Sequence, residues 1–397
     1  MSEVPTGGSM AGAPGRSPPG SPDAPGGRPN GRGGWVGWLE QRLNLTEIFS
    51  FLSHFGLVYA PVDNTRPVRD VVREVARMPV PAYTRGPRVL GLLAVILFGL
   101  EVVTGVLLAY YYRPTPEAAF TSTRDIVRDL PLGWFIHQLH AWGAWLLAVI
   151  VVVRLLRFFW DGLFRAPREV LWWSAVAMVW LVLQSDFTGR LLTWDSHAYW
   201  SAVRGMEVVF ALPVAGPVLA FLLGGRAIND DVLLRFYVLH LLVLPGAFAV
   251  FLYLTFATLR RVGLSPAPEL QHGGVTTFRD HLYGMAILTV LMFGVLSTLA
   301  VIVPFRFGAA ADPYSTPAGV RPPWYMLGPY AVIQHGPGPT WLLGLGLLAA
   351  AFAVLLLPLW ARRVAGGRDV RRARVAGMVA LAAWAALSVV GAILERR

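Results

Sequence analysis

The sequence predicts an all-α integral membrane bundle of about seven transmembrane helices, preceded by a disordered tail and an interfacial amphipathic helix. Three observations carry this. The chain is 55% hydrophobic and only 14% charged, with a mean hydropathy of +0.54, more apolar surface than a soluble domain buries. Seven segments are long and apolar enough to span a bilayer, roughly 88–112, 133–159, 170–189, 233–258, 282–304, 340–361 and 374–393. The basic residues fall in the short loops between them.

Residues 1–34, "MSEVPTGGSMAGAPGRSPPGSPDAPGGRPNGRGG", are rich in Gly, Pro and Ser and cannot bury a core, so a disordered tail is expected. It holds no apolar core segment of the kind a cleaved signal peptide needs. Residues 35–57, "WVGWLEQRLNLTEIFSFLSHFGL", alternate apolar and polar positions at helical spacing and suit a helix lying on the membrane surface.

All 34 basic side chains are arginine, and the net charge is +11. The loops "RLLRFFWDGLFRAPR", "LRRVG" and "RRVAGGRDVRRAR" concentrate that charge, and the positive-inside rule places all three on the cytoplasmic side. This is a topology signal, not a phosphate-binding face, and nucleic acid is not an expected partner. Seven spans then put the N-terminus in the cytoplasm. The outer loops 113–132, 190–232 and 305–339 are longer, and the last two carry Trp, Pro and Gly clusters.

The chain has no cysteine, which excludes disulfides, cysteine-ligated iron–sulfur clusters and covalently attached haem, and leaves the 8 histidines as metal ligands. His140 and His240 lie near the outer ends of the second and fourth spans. Both spans run inward, so the two side chains sit at similar depth, where two axial imidazoles can sandwich a haem iron. Each histidine alone also reads as a hydrogen-bonded core residue between helices; their matched depth favours the pair.

At these residues the chain resembles cytochrome b, in the form of cytochrome b6 with its smaller companion subunit fused behind. The resemblance rests on "VTGVLLAYYYRPTPEAAF" (103–120), "HAWGAW" (140–145), "FRAPRE" (164–169), "TGRLLTWDSHAYW" (188–200), "FYVLHLLVLP" (236–245), "RRVGLSP" (260–266) and "DPYSTPAGVRPPWY" (312–325). It implies a four-helix haem-binding domain over 35–265 and a three-helix domain over 266–397. It implies haem b on His140 and His240, with Gly105, Gly189, His137 and Arg113 around the cofactor. It also implies an outer quinone or quinol pocket at Gly189, Trp194, Pro323, Trp324 and Tyr325.

The family carries a second histidine 14 or 15 residues along each ligand helix for an inner haem. Here those positions are Arg154 and Thr255. Gly91 and Gly105 keep the glycine pair of the first span, but the inner counterpart of Gly189 is Ala175. One haem b, on the outer side, is therefore expected. Charged Arg154 must snorkel to the cytoplasmic interface, the first expectation, or pair with an acid, or fill a polar cavity. Of the other histidines, His281 lies at the entrance of the fifth span, and His197 and His335 read as loop residues.

Pro323 stands where the family usually has a glutamate thought to accept a quinol proton, and proline transfers no proton. Two functions follow as expectations. One is a membrane subunit, in the plasma membrane, that passes electrons between the quinone pool and an outer-side partner through one haem b. The other is a non-bifurcating structural anchor for other redox subunits. A Rieske-type or c-type partner, membrane lipid and a homodimer complete the expected surroundings.

Overall fold

The computed structural model describes residues 76–77, 79–81, 89–262, 275–363 and 367–394. The expected tail and surface helix lie outside the described residues.

Seven helices are long and apolar enough to cross a membrane. The first, α1 (Val89–Ala109), is 21 residues long, about 32 Å at 1.5 Å per residue. Outer-loop helix α2 (Pro116–Asp129) starts on a proline, whose missing N–H costs nothing in a first turn. The second span is α3 (Gly133–Trp160) and the third is α4 (Glu169–Leu192). Two more outer helices follow, α5 (Ser196–Phe210) and α6 (Ala215–Leu223). The Asp195 carboxylate accepts the Ala198 N–H at 3.0 Å to cap α5, and Gly224 ends α6 in the left-handed region.

The fourth span runs from α7 (Asp230–Val238) through a π-helical turn at Leu239–Val243 into α8 (Leu244–Val262). Pro245 explains the turn. It has no N–H to give the preceding turn, and the Leu244 N–H instead reaches back five residues to the Leu239 carbonyl. The rest is α9 (Phe278–Ile302), the outer helix α10 (Leu327–His335), α11 (Thr340–Arg363) and α12 (Gly367–Leu394). Two three-residue strands, β1 (Pro79–Pro81) and β2 (Val275–Thr277), pair antiparallel just before the first and fifth spans. The outer-loop helices and this pair were not anticipated from hydropathy. Pro116 at a helix start and Asp195 before "SHAYW" were their local signals.

α1 packs on α3, α3 on α4, and α4 on α8, closing a four-helix bundle; α9 lies against α3 and α1, α11 against α4, and α12 against α10. The bundle's middle is apolar, with Leu97, Leu147, Val151, Leu181, Leu244, Phe248 and Leu296 buried together. Its outer end is covered by the segment after α9. Gln138 exchanges two 2.8 Å hydrogen bonds with the backbone of Phe305, and the Trp142 indole donates to the Val303 carbonyl. The Ser196 N–H donates to the Ala309 carbonyl, and the Trp200 indole to that of Asp312.

Pro358 lies inside α11, so the Val354 carbonyl loses its helical donor. The buried Trp172 indole N–H of α4 donates to that carbonyl at 3.0 Å, and Trp173 donates to Leu355 beside it at 2.9 Å. Where no water reaches, an unpaired carbonyl is costly, so a proline in one helix is matched by tryptophans in the next. Trp172→Phe should destabilise the protein by about 1–3 kcal/mol in detergent melts. In a Pro358→Ala background, which restores the N–H, the same change should cost clearly less, and an equal cost would refute this pairing.

Candidate functional site: a paired-histidine cavity at the outer end of the bundle

His140 and His240 face each other across the bundle, with ring centroids 6.1 Å apart. Their Nδ1 atoms turn outward to the helices. Thr104 donates its hydroxyl to the Leu100 carbonyl at 2.7 Å, so it accepts the His140 Nδ1–H at 2.9 Å. A Glu101 carboxylate oxygen lies 3.1 Å from the same nitrogen. His240 Nδ1 lies 3.0 Å from the Ser185 carbonyl, which only accepts, so this nitrogen carries the proton. Both Nε2 lone pairs are thereby left for a metal, the arrangement that orients imidazole ligands. His240 sits in the π turn made by Pro245.

The histidines line a cavity of about 560 Å³. Its walls hold no side chain at the glycines. A Cβ at Gly189 would come 2.6 Å from His240 Cε1, and one at Gly105 would come 3.2 Å from His140 Cε1. Apolar residues, including the Phe98–Phe248 pair at 4.5 Å, form its floor. The rim is polar. His137 lies there with its ring against Phe307 and its buried Nδ1 without a hydrogen-bond partner, and Arg306, Arg321, Arg190 and His197 join it. Opposed imidazoles, a side-chain-free approach at two glycines, an apolar floor and a cationic rim fit a haem with its propionates outward.

The structure corrects one expected residue and adds others. Arg113 is exposed and does not line the cavity; its backbone N–H bonds to Ser122. Arg306 and Arg321 take the place by the rim. Their position depends on the fold of the covering loop, which hydropathy does not reveal. His197 is a cavity residue despite its loop position, whereas His335 ends α10 and the His281 ring lies against Phe278.

The expected quinone residues do not form one wall. Gly189 lines the cavity, while Trp194 is buried against Tyr199. Pro323 is buried, Trp324 packs on Tyr325 and Trp384, and Tyr325 reaches α4. The Tyr325 hydroxyl lies 2.9 Å from the Leu183 carbonyl and 3.0 Å from Asp186 Oδ2. Burial first, and then the Asp186 carboxylate, hold this phenol well above its ordinary pKa, so it remains a donor.

The inner half of the bundle differs. Arg154 is 7% exposed and does not snorkel, contrary to the first expectation. Its guanidinium lies 4.6 Å over the Phe158 ring, with Nη1 3.9 Å from Met178 Sδ, and no carboxylate pairs with it among the described residues. Thr255 reaches the same sulfur at 3.8 Å and donates to the Phe251 carbonyl. Gly91 faces Arg154, and Ala175 is buried. Long side chains occupy the level one bundle-half below the histidine pair.

The contacts at the two outer glycines rank two substitutions. Gly189→Ala drives its methyl into the His240 ring and should lose most of the bound haem. Gly105→Ala, 0.6 Å roomier, should retain more. Pyridine haemochrome content per purified chain measures both, and the reverse order would show that the glycines do not frame the cofactor.

The cytochrome b/b6/petB family profile matches residues 76–263, and the cytochrome b(C-terminal)/b6/petD profile matches 310–395. Cytochrome b6 of Heliomicrobium gestii is 39% identical over 197 residues, covering 49% of this chain and 92% of that protein. A cytochrome bc complex cytochrome b subunit of Chlorobaculum thiosulfatiphilum is 30% identical over 250 residues, 62% of this chain and 58% of that one. The fold is similar to a chain of the hyperthermophilic respiratory Complex III, with a TM-score of 0.64 at 21% identity, covering 84% of this chain and 97% of that chain. With paired outer histidines at glycine-lined walls and seven spans in this order, the chain belongs to the cytochrome b/b6 family of multi-pass membrane cytochromes in quinol-linked electron transfer.

Proposed function

We propose that this chain is a one-haem cytochrome b subunit that passes electrons between the quinone pool and a redox partner on the outer side of the plasma membrane. The observation that carries the reading is the asymmetry between the bundle's halves. The outer half presents two imidazoles to a cavity; the inner half presents Arg154, Thr255, Met178 and Ala175 packed on one another. A bound haem b supplies a one-electron store at the outer site. His140 and His240 hold it, Thr104, Glu101 and the Ser185 carbonyl orient them, and His137, Arg306 and Arg321 receive its propionates.

From this level to the cytoplasmic face is roughly 20 Å, about two-thirds of a ~30 Å hydrocarbon core. With no second store on the way, a bifurcating cycle that delivers electrons to an inner quinone site does not operate. The partner is a Rieske-type protein or c-type cytochrome of the same complex, since no such module lies in this chain, and the N-terminus faces the cytoplasm. A second reading, a structural anchor for other redox subunits, is favoured by Pro323, which leaves the Trp324–Tyr325 loop without a carboxylate.

A pyridine haemochrome assay should return one haem b per chain, and quinol should reduce it. Two haems would reject the one-haem reading; a haem that quinol cannot reduce would favour the anchor. The double variant Arg154→His with Thr255→His restores both imidazoles at the family's spacing. Its haem count should stay at one, because Met178 and Ala175 still fill the level between them. A second low-spin haem in that variant would show that the inner cavity survives.

A further inference from the structure

Asp186 is a membrane-depth carboxylate that the paired-histidine site does not use. It lies one turn inward of Gly189 on α4, lines the cavity, and its side chain is 9% exposed. Arg190 Nε lies 2.8 Å from Oδ2 and Arg190 Nη2 lies 2.9 Å from Oδ1. The Tyr325 hydroxyl approaches Oδ2 from the other side, at 3.0 Å. An exposed i,i+4 ion pair on a helix needs no third member and adds little. This one is carried inside the bundle, where an ionised group is expensive and is a functional candidate.

The lone-pair count is informative. A carboxylate offers about four acceptor sites. Arg190 takes two and Tyr325 at most one, because its single hydroxyl proton is shared with the Leu183 carbonyl. At least one acceptor site, on Oδ1, stays open toward the cavity. Arg190 is differently placed: its side chain is 38% exposed, so its spare N–H groups face water. The buried open group is an acceptor and not a donor.

We propose that Asp186 is the residue by which the outer site selects the reduced over the oxidised form of its substrate, accepting a hydroxyl hydrogen bond from a hydroquinone. This rests on the quinol reading above. A hydroquinone O–H donates to Oδ1 and satisfies it. A quinone carbonyl brings only lone pairs, so it leaves Oδ1 unpaired and sets two acceptors against each other. A site with a buried group that one ligand pairs and its analogue does not discriminates strongly. Arg190 keeps the carboxylate ionised and fixed, and Tyr325 aims it. No bond is made or broken in this binding step.

The test is equilibrium dialysis of the full haem-loaded chain in detergent against a short-chain benzoquinone and the matching hydroquinone, repeated with a naphthoquinone pair. Wild type should bind at least one hydroquinone more tightly than its quinone, by about tenfold or more, the size of one charge-assisted hydrogen bond. Asp186→Asn presents an amide that both accepts and donates, so its preference should collapse toward unity while its haem spectrum is retained. Asp186→Glu keeps the acceptor and should keep most of the preference. Equal binding of both forms by wild type, or an undiminished preference in Asp186→Asn, overturns the inference while the quinone site stands. Loss of preference in Asp186→Glu as complete as in Asp186→Asn assigns the effect to helix packing and also overturns it. If wild type binds neither pair in either form, the quinol reading falls, and this inference falls with it.

Discussion

The constraint that shapes this molecule is that polar groups at membrane depth have no water and must be completed by the protein or by a ligand. It decides details that hydropathy passes over. Pro358 strips a donor from the Val354 carbonyl, and Trp172 supplies one from the neighbouring helix. Pro245 strips another, and the chain answers with a π turn that carries His240. Thr104, Thr188, Thr255 and Thr258 each return their hydroxyl to a carbonyl one turn back. The groups left incomplete then stand out: the Nε2 atoms of two opposed histidines, Nδ1 of His137, Oε1 of Glu101 and the open side of Asp186.

The same constraint accounts for what could be read from the sequence. Spans are legible because each must satisfy its own backbone over about twenty apolar residues, and all seven stand where hydropathy puts them. His140 and His240 are legible as a facing pair because topology alone fixes their depth. Outer-loop helices are not, since in water the backbone has alternatives and a short helix forms through local caps and tertiary cover. That is why α2, α5, α6 and α10 escaped, and with them the route that brings Arg306 and Arg321 to the rim and leaves Arg113 outside. Asp186 escaped for another reason. In sequence, Asp186 and Arg190 are an ordinary i,i+4 pair, and only the fold of residues 312–325 brings the Tyr325 phenol to it.

Arg154 is the sharpest departure from expectation. Snorkelling is the cheap course for an arginine near a membrane face, yet this side chain turns inward to Phe158 and Met178. A guanidinium stays charged, and here the only relief among the described residues is the face of an aromatic ring and a polarisable sulfur. Cation–π contacts are worth most when desolvated. The arrangement is tolerable only because three neighbours yield: Gly91 offers no side chain, Thr255 satisfies itself on its own helix, and Met178 bends to both.

That concession links the bundle's two ends. A four-helix bundle that holds two stacked cofactors is held apart at two levels; filling one level with side chains lets the helices close there and makes it a packed core. Leu97, Leu147, Val151 and Leu181 continue that core up to the Phe98–Phe248 pair that floors the outer cavity. The outer level then rests on a solid floor and opens only outward, toward the cationic rim and the Trp324–Tyr325 loop. Loss of the inner site and confinement of redox chemistry to one face are, on this view, one structural change: charge and sulfur at the inner level stiffen the base on which the outer histidines are held.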